Sequence, residues 1–206
     1  MAKIQKKAVN SSVILLTATI LSGVFFGYID TIILGRYVQS QYIGFYQAAM
    51  ALIGSTGALI GFSAVLFPIF SRLKGERLKR GLRKSAKITF IASLAIAVLA
   101  FLLANFAIII VYGQAYIQSA NILKLLLFLV LIDPLIAIYS AFHISQGRQK
   151  LVAKSVLFAT FLNIVLNILF IKFLLQYSDY AATFGAASAT IIARGLYLGM
   201  LGWKRN

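Results

Sequence analysis

The sequence predicts an all-α polytopic membrane protein, a single six-helix bundle over residues 1–206 with both termini on the cytoplasmic side. Three observations predict it. Of the 206 residues, 61% are hydrophobic and 12% charged, against roughly 45–50% and about 25% in a typical globular chain. Apolar runs long enough to cross a bilayer recur along the whole sequence. The basic residues, finally, sort onto alternate connections between those runs.

A crossing helix needs ~20 mostly apolar residues, and six runs meet that length: 13–34, 43–70, 88–111, 122–144, 155–175 and 181–201. The first follows Lys3, Lys6 and Lys7. It is too long for the ~7–15-residue core of a signal peptide and no small-x-small site closes it, so it is expected to be retained. The second contains GSTGALIG, placing Gly54, Gly57 and Gly61 on one stripe, a spacing that lets helices approach closely. Pro68 near its end and Pro134 at the centre of the fourth run predict bends. Between the second and third runs lies the longest connection, 71–87, where Leu78 and Leu82 stand four apart and suggest a short interfacial helix. The sixth run, with GAASATIIARG, is small on one side. Buried soluble helices compete as a reading for any one run, but six in succession leave it little room.

Orientation follows from charge. Residues 1–12, 71–87, 145–154 and 202–206 carry sixteen Lys and Arg, eight of them in 71–87, whereas 35–42, 112–121 and 176–180 carry only Arg36. Positive residues stay on the cytoplasmic side. The run RLKGERLKRGLRKSAK has no interleaved aromatics, so a nucleic-acid partner is not expected. Its role is topological, with attraction to anionic headgroups of ~1 kcal/mol per basic residue.

Catalytic chemistry is poorly supplied. There is no cysteine, one histidine and four acids, Asp30, Glu76, Asp133 and Asp179. Disulfides, thiolate zinc sites and thiol nucleophiles are excluded. With no nucleophile–base pair or metal-ligand cluster in view, neither an enzyme nor a cofactor or metal is expected.

Ionisable groups at membrane depth are costly and therefore candidate functional groups. Lys124 and Lys172 lie near helix ends, where their stems can snorkel, and are given no role. His143 is expected at the interface. Asp133 is the twelfth of 23 residues in the fourth run, ~17 Å from its outer end, and Arg194 the fourteenth of 21 in the sixth, ~20 Å from its outer end. Both runs point inward, so the two charges share a depth. Two readings stay open: a structural ion pair, or a water-filled cavity in which Arg194 binds anionic groups while Asp133 balances or couples. Asp30, near the outer C-terminal end of the first helix, is disfavoured by the helix dipole and needs a partner. Asn163 and Asn167 share a helix face at i, i+4, and serve either interhelical hydrogen bonding or a polar substrate path.

The order of motifs resembles a family. GYIDTIILGRYV is followed by IGFYQAA, LFPIFSRLKG, VYGQAYIQSANILKLL, SQGRQK, NIVLNILFI and FGAASAT. This series resembles the multidrug, oligosaccharidyl-lipid and polysaccharide exporter superfamily, and is most similar to flippases of the O-antigen and polysaccharide-biosynthesis type. The resemblance runs from about Ser12 to Trp203; no single motif is diagnostic, but their order and spacing are. It implies two six-helix lobes around a cavity that opens alternately to each side, moving polyprenyl-pyrophosphate-linked oligosaccharide across the cytoplasmic membrane. This chain resembles one lobe only, the second more than the first. A partner lobe is therefore expected, either a second copy or a separately encoded half, alongside membrane lipids and the lipid-linked sugar. Two alternatives remain: a lobe of a multidrug cation exporter, which would rely on Asp30 and Asp133 and be opposed by Arg194, and a non-transporting membrane subunit or truncated remnant.

Overall fold

The computed structural model describes residues 17, 28–59 and 63–203. Among the described residues seven helices follow one another: α1 (residues 28–37), α2 (Ser40–Leu59), α3 (Ser63–Arg72), α4 (Gly75–Tyr112), α5 (Ser119–Ser145), α6 (Gln149–Leu175) and α7 (Asp179–Trp203), with a 3-10 turn at Gln114–Tyr116. Among the described residues there is no strand, and α4 to α7 are each long and apolar enough to cross a membrane. The chain is thus a multi-pass α-helical membrane protein. Most of the expected run 13–34 lies outside the described residues, and the run 43–70 is occupied by α2 and α3 on either side of residues 60–62.

The region 71–87 departs from expectation. Instead of a long connection holding a short separate helix, only Leu73 and Lys74 separate α3 from α4, and α4 continues unbroken for 38 residues. At ~1.5 Å per residue it is ~57 Å long, well beyond the ~30 Å hydrocarbon core. Its buried positions explain the continuity. Leu78, Leu82, Thr89, Ser93, Ala97, Ala104 and Ile108 recur at four- and seven-residue steps, one unbroken helical stripe. The basic residues between them are exposed. Gly75, at φ +56°, supplies the left-handed backbone that reverses the chain into α4.

α5 is the hub and packs against α2, α3, α4, α6 and α7. Its buried residues in the first half (Ile122, Leu123, Leu126, Leu127, Leu129, Val130) share one side of the helix at ~100° per residue, while Asn121 and Phe128 on the opposite side are exposed. Pro134 is buried inside it without ending it. The turn SQGRQK closes α5 with a Schellman cap. Gly147 has φ +72°, its N–H donates to the Ile144 carbonyl at 3.0 Å, and the Arg148 N–H donates to the His143 carbonyl at 2.8 Å.

α7 presents Ala182, Gly185, Ala186, Ala187, Ala189 and Ala193 to its neighbours. The closest approach is at Gly185, where an added Cβ would stand 2.8 Å from the Phe170 carbonyl oxygen of α6. The glycine stripe of α2 differs: Gly54 is exposed, with nothing within 4 Å of its would-be Cβ, so it packs against none of the other described helices. The surroundings of Gly57 and Gly61 lie outside the described residues.

The two ends differ in chemistry. At one, Leu78 and Leu82 pack with Phe70, Ile138 and Phe142 beneath the basic residues of α4 and of the 145–154 turn. At the other, Tyr42, Phe45, Tyr112, Tyr116, Tyr180 and Phe184 form a chain of ring contacts, the aromatic belt of a membrane–water interface. There Ser178 caps α7 by accepting from the Ala181 N–H at 3.0 Å, and Asp179 accepts from the Gln39 N–H at 2.9 Å.

Candidate functional site

Asp30 is fully buried and is met by three donors from three other helices. Tyr46 of α2 donates to Oδ2 at 2.5 Å, Thr190 of α7 donates to the same oxygen at 2.6 Å, and Asn167 of α6 donates to Oδ1 at 2.8 Å. Asn163 donates to Thr190 Oγ1 at 3.0 Å, so both asparagines of the shared α6 face enter one network. A carboxylate without counter-charge would be prohibitive in this setting; hydrogen bonds to the charged form offset much of its desolvation. The acid that the sequence left in need of a partner thus ties four helices together.

The network also carries unspent acceptors. Asn163 Oδ1 and Asn167 Oδ1 are buried without a hydrogen-bond partner among the described residues. Two amide oxygens on side chains bonded to a carboxylate and a threonine hydroxyl make an oxygen-rich cluster.

One turn along α7 from Thr190 lies Arg194, whose guanidinium pairs with Asp133 of α5. Asp133 is the fifteenth of 27 residues in α5 and Arg194 the sixteenth of 25 in α7, so the pair sits mid-helix on both. It is not fully enclosed: 21% of the arginine side chain and 33% of the aspartate remain accessible. Thr190 bonds Asp30 and Arg194 pairs with Asp133, so one turn of α7 joins the two acid sites.

Toward the basic end the α5–α7 seam stays polar. Ser140 Oγ lies 3.4 Å from Tyr197 Oη, and His143 Nε2 lies 2.9 Å from the Leu201 carbonyl. His143, expected at the interface, lies in the last turn of α5 and is fully buried: one turn of α7 beyond Tyr197 brings the end of that helix over the ring. Lys172 lies 5.5 Å from the Tyr37 ring centroid and Lys124 5.6 Å from that of Phe101. Sequence reasoning missed Tyr46 and Thr190. A signal for Thr190 existed, since it precedes Arg194 by four residues on one helix face; Tyr46 offered none, being one of ten tyrosines.

A family model described as "polysaccharide biosynthesis protein" matches residues 4–121, more than half of the chain. The chain belongs to the polysaccharide biosynthesis protein family. No curated protein and no solved structure matches it significantly. In this family member the matched stretch contains Asp30 and Tyr46, while Asp133, Asn163, Asn167, Thr190 and Arg194 lie beyond it.

Proposed function

We propose that the protein is one lobe of a flippase that carries a polyprenyl-pyrophosphate-linked oligosaccharide across the cytoplasmic membrane by alternating access against a second lobe. On this reading the bundle has six spans with both termini cytoplasmic, and corresponds to the second lobe of the exporter fold. Family membership supports the polysaccharide setting.

The observation that carries the reading is the partial exposure of the Asp133–Arg194 pair at mid-helix. A charged patch there cannot face hydrocarbon without a large cost, so a partner lobe or a water-filled cavity covers it. The planar guanidinium fork matches phosphate oxygens, and an incoming diphosphate competes with Asp133 for it. Asp133 then holds the fork in place between substrates and balances its charge.

Asp30 serves as the coupling carboxylate. Protonation would convert one of its oxygens from acceptor to donor and release Tyr46 or Thr190 from it; an alkali cation would instead draw on the open oxygens of Asn163 and Asn167. Either event acts on α2, α6 and α7 together. A cation-exporter lobe fits less well, because Asp30 and Asp133 are both already engaged by donors.

The test is complementation of a flippase-deficient strain. Arg194→Ala and Asp133→Asn are each expected to abolish it while the protein still accumulates in the membrane. Wild-type complementation by both variants would refute the cavity chemistry. Native mass spectrometry complements this: a dimer carrying a polyprenyl-pyrophosphate lipid supports a half-size flippase, and a lipid-poor monomer points to a separate partner lobe or a non-transporting subunit.

A further inference from the structure

Between α4 and α5 runs an open groove of about 250 Å³, walled by Val98, Phe101 and Leu102 on one side and Leu127 and Leu131 on the other, with Lys124 as its one charged residue. The walls face outward: Phe101 is 52% and Leu102 73% accessible, on helices that cross the membrane. The lipid phase is therefore what meets this surface.

Lys124 is anomalous there. It lies five residues into α5, ~8 Å along the helix from its start. Its Nζ lies over the Phe101 ring at 5.6 Å. The chain has only four acids, and each is engaged elsewhere. Asp30 is held by Tyr46, Asn167 and Thr190, Glu76 is 3.7 Å from Lys79, Asp133 pairs with Arg194, and Asp179 accepts from Gln39. The ammonium thus has a ring face but no carboxylate in the chain left to neutralise it. A cation in an apolar membrane-facing groove calls for an anion that brings its own apolar body.

We propose that this groove is a binding site for one anionic glycerophospholipid, its headgroup phosphate paired with Lys124 and one acyl chain lying between α4 and α5. The volume suits part of an acyl chain; the flexible lysine stem can carry the ammonium from Phe101 toward the helix end, where lipid phosphates lie. The site is separate from the Asp133–Arg194 patch and does not depend on the transport reading.

The experiment is native mass spectrometry of the full chain in detergent, titrated with dioleoyl phosphatidylglycerol, dioleoyl phosphatidylcholine, polyprenyl phosphate or inorganic phosphate. The wild type is expected to take up one phosphatidylglycerol in preference to phosphatidylcholine, with inorganic phosphate failing to compete. Lys124→Gln should weaken that uptake about tenfold, the scale of one charge-assisted hydrogen bond. Lys124→Arg should preserve it, and Lys172→Gln should leave it unchanged. Leu102→Trp, which fills the groove and keeps the charge, should also displace the lipid. Equal uptake by wild type and Lys124→Gln overturns the proposal. So does a preference for polyprenyl phosphate that Lys124→Gln abolishes and Arg194→Ala does not, or a homodimer in which a crosslinker at Lys124→Cys joins two copies through this face.

Discussion

Thr190 and Arg194 stand four residues apart on α7, the first donating to Asp30 at 2.6 Å and the second paired with Asp133. One helical turn therefore connects a fully buried carboxylate, bonded to α2 and α6, with a partly accessible ion pair to α5. Any rotation or shift of α7 changes both contacts together. The carboxylate network and the ion pair are thus mechanically joined through α7.

Thr190 should accordingly matter more than its size suggests. Thr190→Val conserves volume but removes the donor to Asp30 and the acceptor of Asn163. Leaving such buried groups unsatisfied costs about 1–3 kcal/mol. Thr190→Ser should restore most of the stability, since the hydroxyl remains. Thermal unfolding in detergent micelles checks both, and equal stability of Val and wild type would show the network to be energetically idle.

The Asp133–Arg194 pair should be coupled, though modestly for an ion pair. Removing one partner leaves the other charge uncompensated mid-membrane, whereas removing both leaves two neutral groups. A double-mutant cycle of Asp133→Asn and Arg194→Gln should give a coupling within the range of about 0.5–3 kcal/mol seen for residues in contact. Partial exposure of both side chains argues for the lower half of that range. Additive effects would mean that water already screens the two charges from one another.

Much of this arrangement was legible in the sequence because hydrophobic length and charge are one-dimensional signals. The long apolar runs marked α4 to α7, and matching depth placed Asp133 and Arg194 level before any packing was known. The i, i+4 spacing placed Asn163 and Asn167 on one face. Partners on other helices are a different matter. That Asp30 meets Tyr46 and Thr190, 16 and 160 residues away, depends on how helices are arranged around α5, which no local pattern encodes. The 71–87 region misled for a related reason. Its charges suggested a connection with a short interfacial helix of its own, but the Leu78–Leu82 stripe is in register with the apolar stripe of α4, and packing on Phe70 and Phe142 keeps the helix continuous.

Gly185 should be intolerant of any side chain. An added Cβ would meet the Phe170 carbonyl oxygen at 2.8 Å and the Ile171 nitrogen at 3.1 Å, both backbone atoms that cannot rotate away. Gly185→Ala should destabilise by about 1–3 kcal/mol, the usual cost of overpacking, by forcing α6 and α7 apart. Gly199→Ala on the same helix has nothing within 4 Å and should be neutral or slightly stabilising, since alanine is the better helix former. A midpoint for Gly185→Ala no lower than that for Gly199→Ala would mean that the two helices can separate freely at this point.

Leu82 should hold the basic start of α4 against the bundle. The first turns of α4 extend past what a ~30 Å hydrocarbon core can cover, so there the hydrophobic effect acts as it does in a soluble protein. Leu82 is wholly buried among Phe70, Ile138 and Phe142, with Leu78 one turn away. Leu82→Ala removes packed atoms and leaves a cavity, a change that costs about 2–5 kcal/mol in a core. That loss falls on local opening of 75–87, because the rest of α4 keeps its own stripe from Thr89 to Ile108. Two kcal/mol correspond to roughly thirtyfold in an equilibrium constant. Amide exchange across 75–87 should therefore accelerate by at least that factor, and trypsin should cut at Arg77–Lys87 far sooner. Arg83→Lys, on the exposed face and still a trypsin site, should change neither. If exchange also accelerated across 119–145 in Leu82→Ala, α5 would be opening with it, and the segment would belong to the same cooperative unit as the hub.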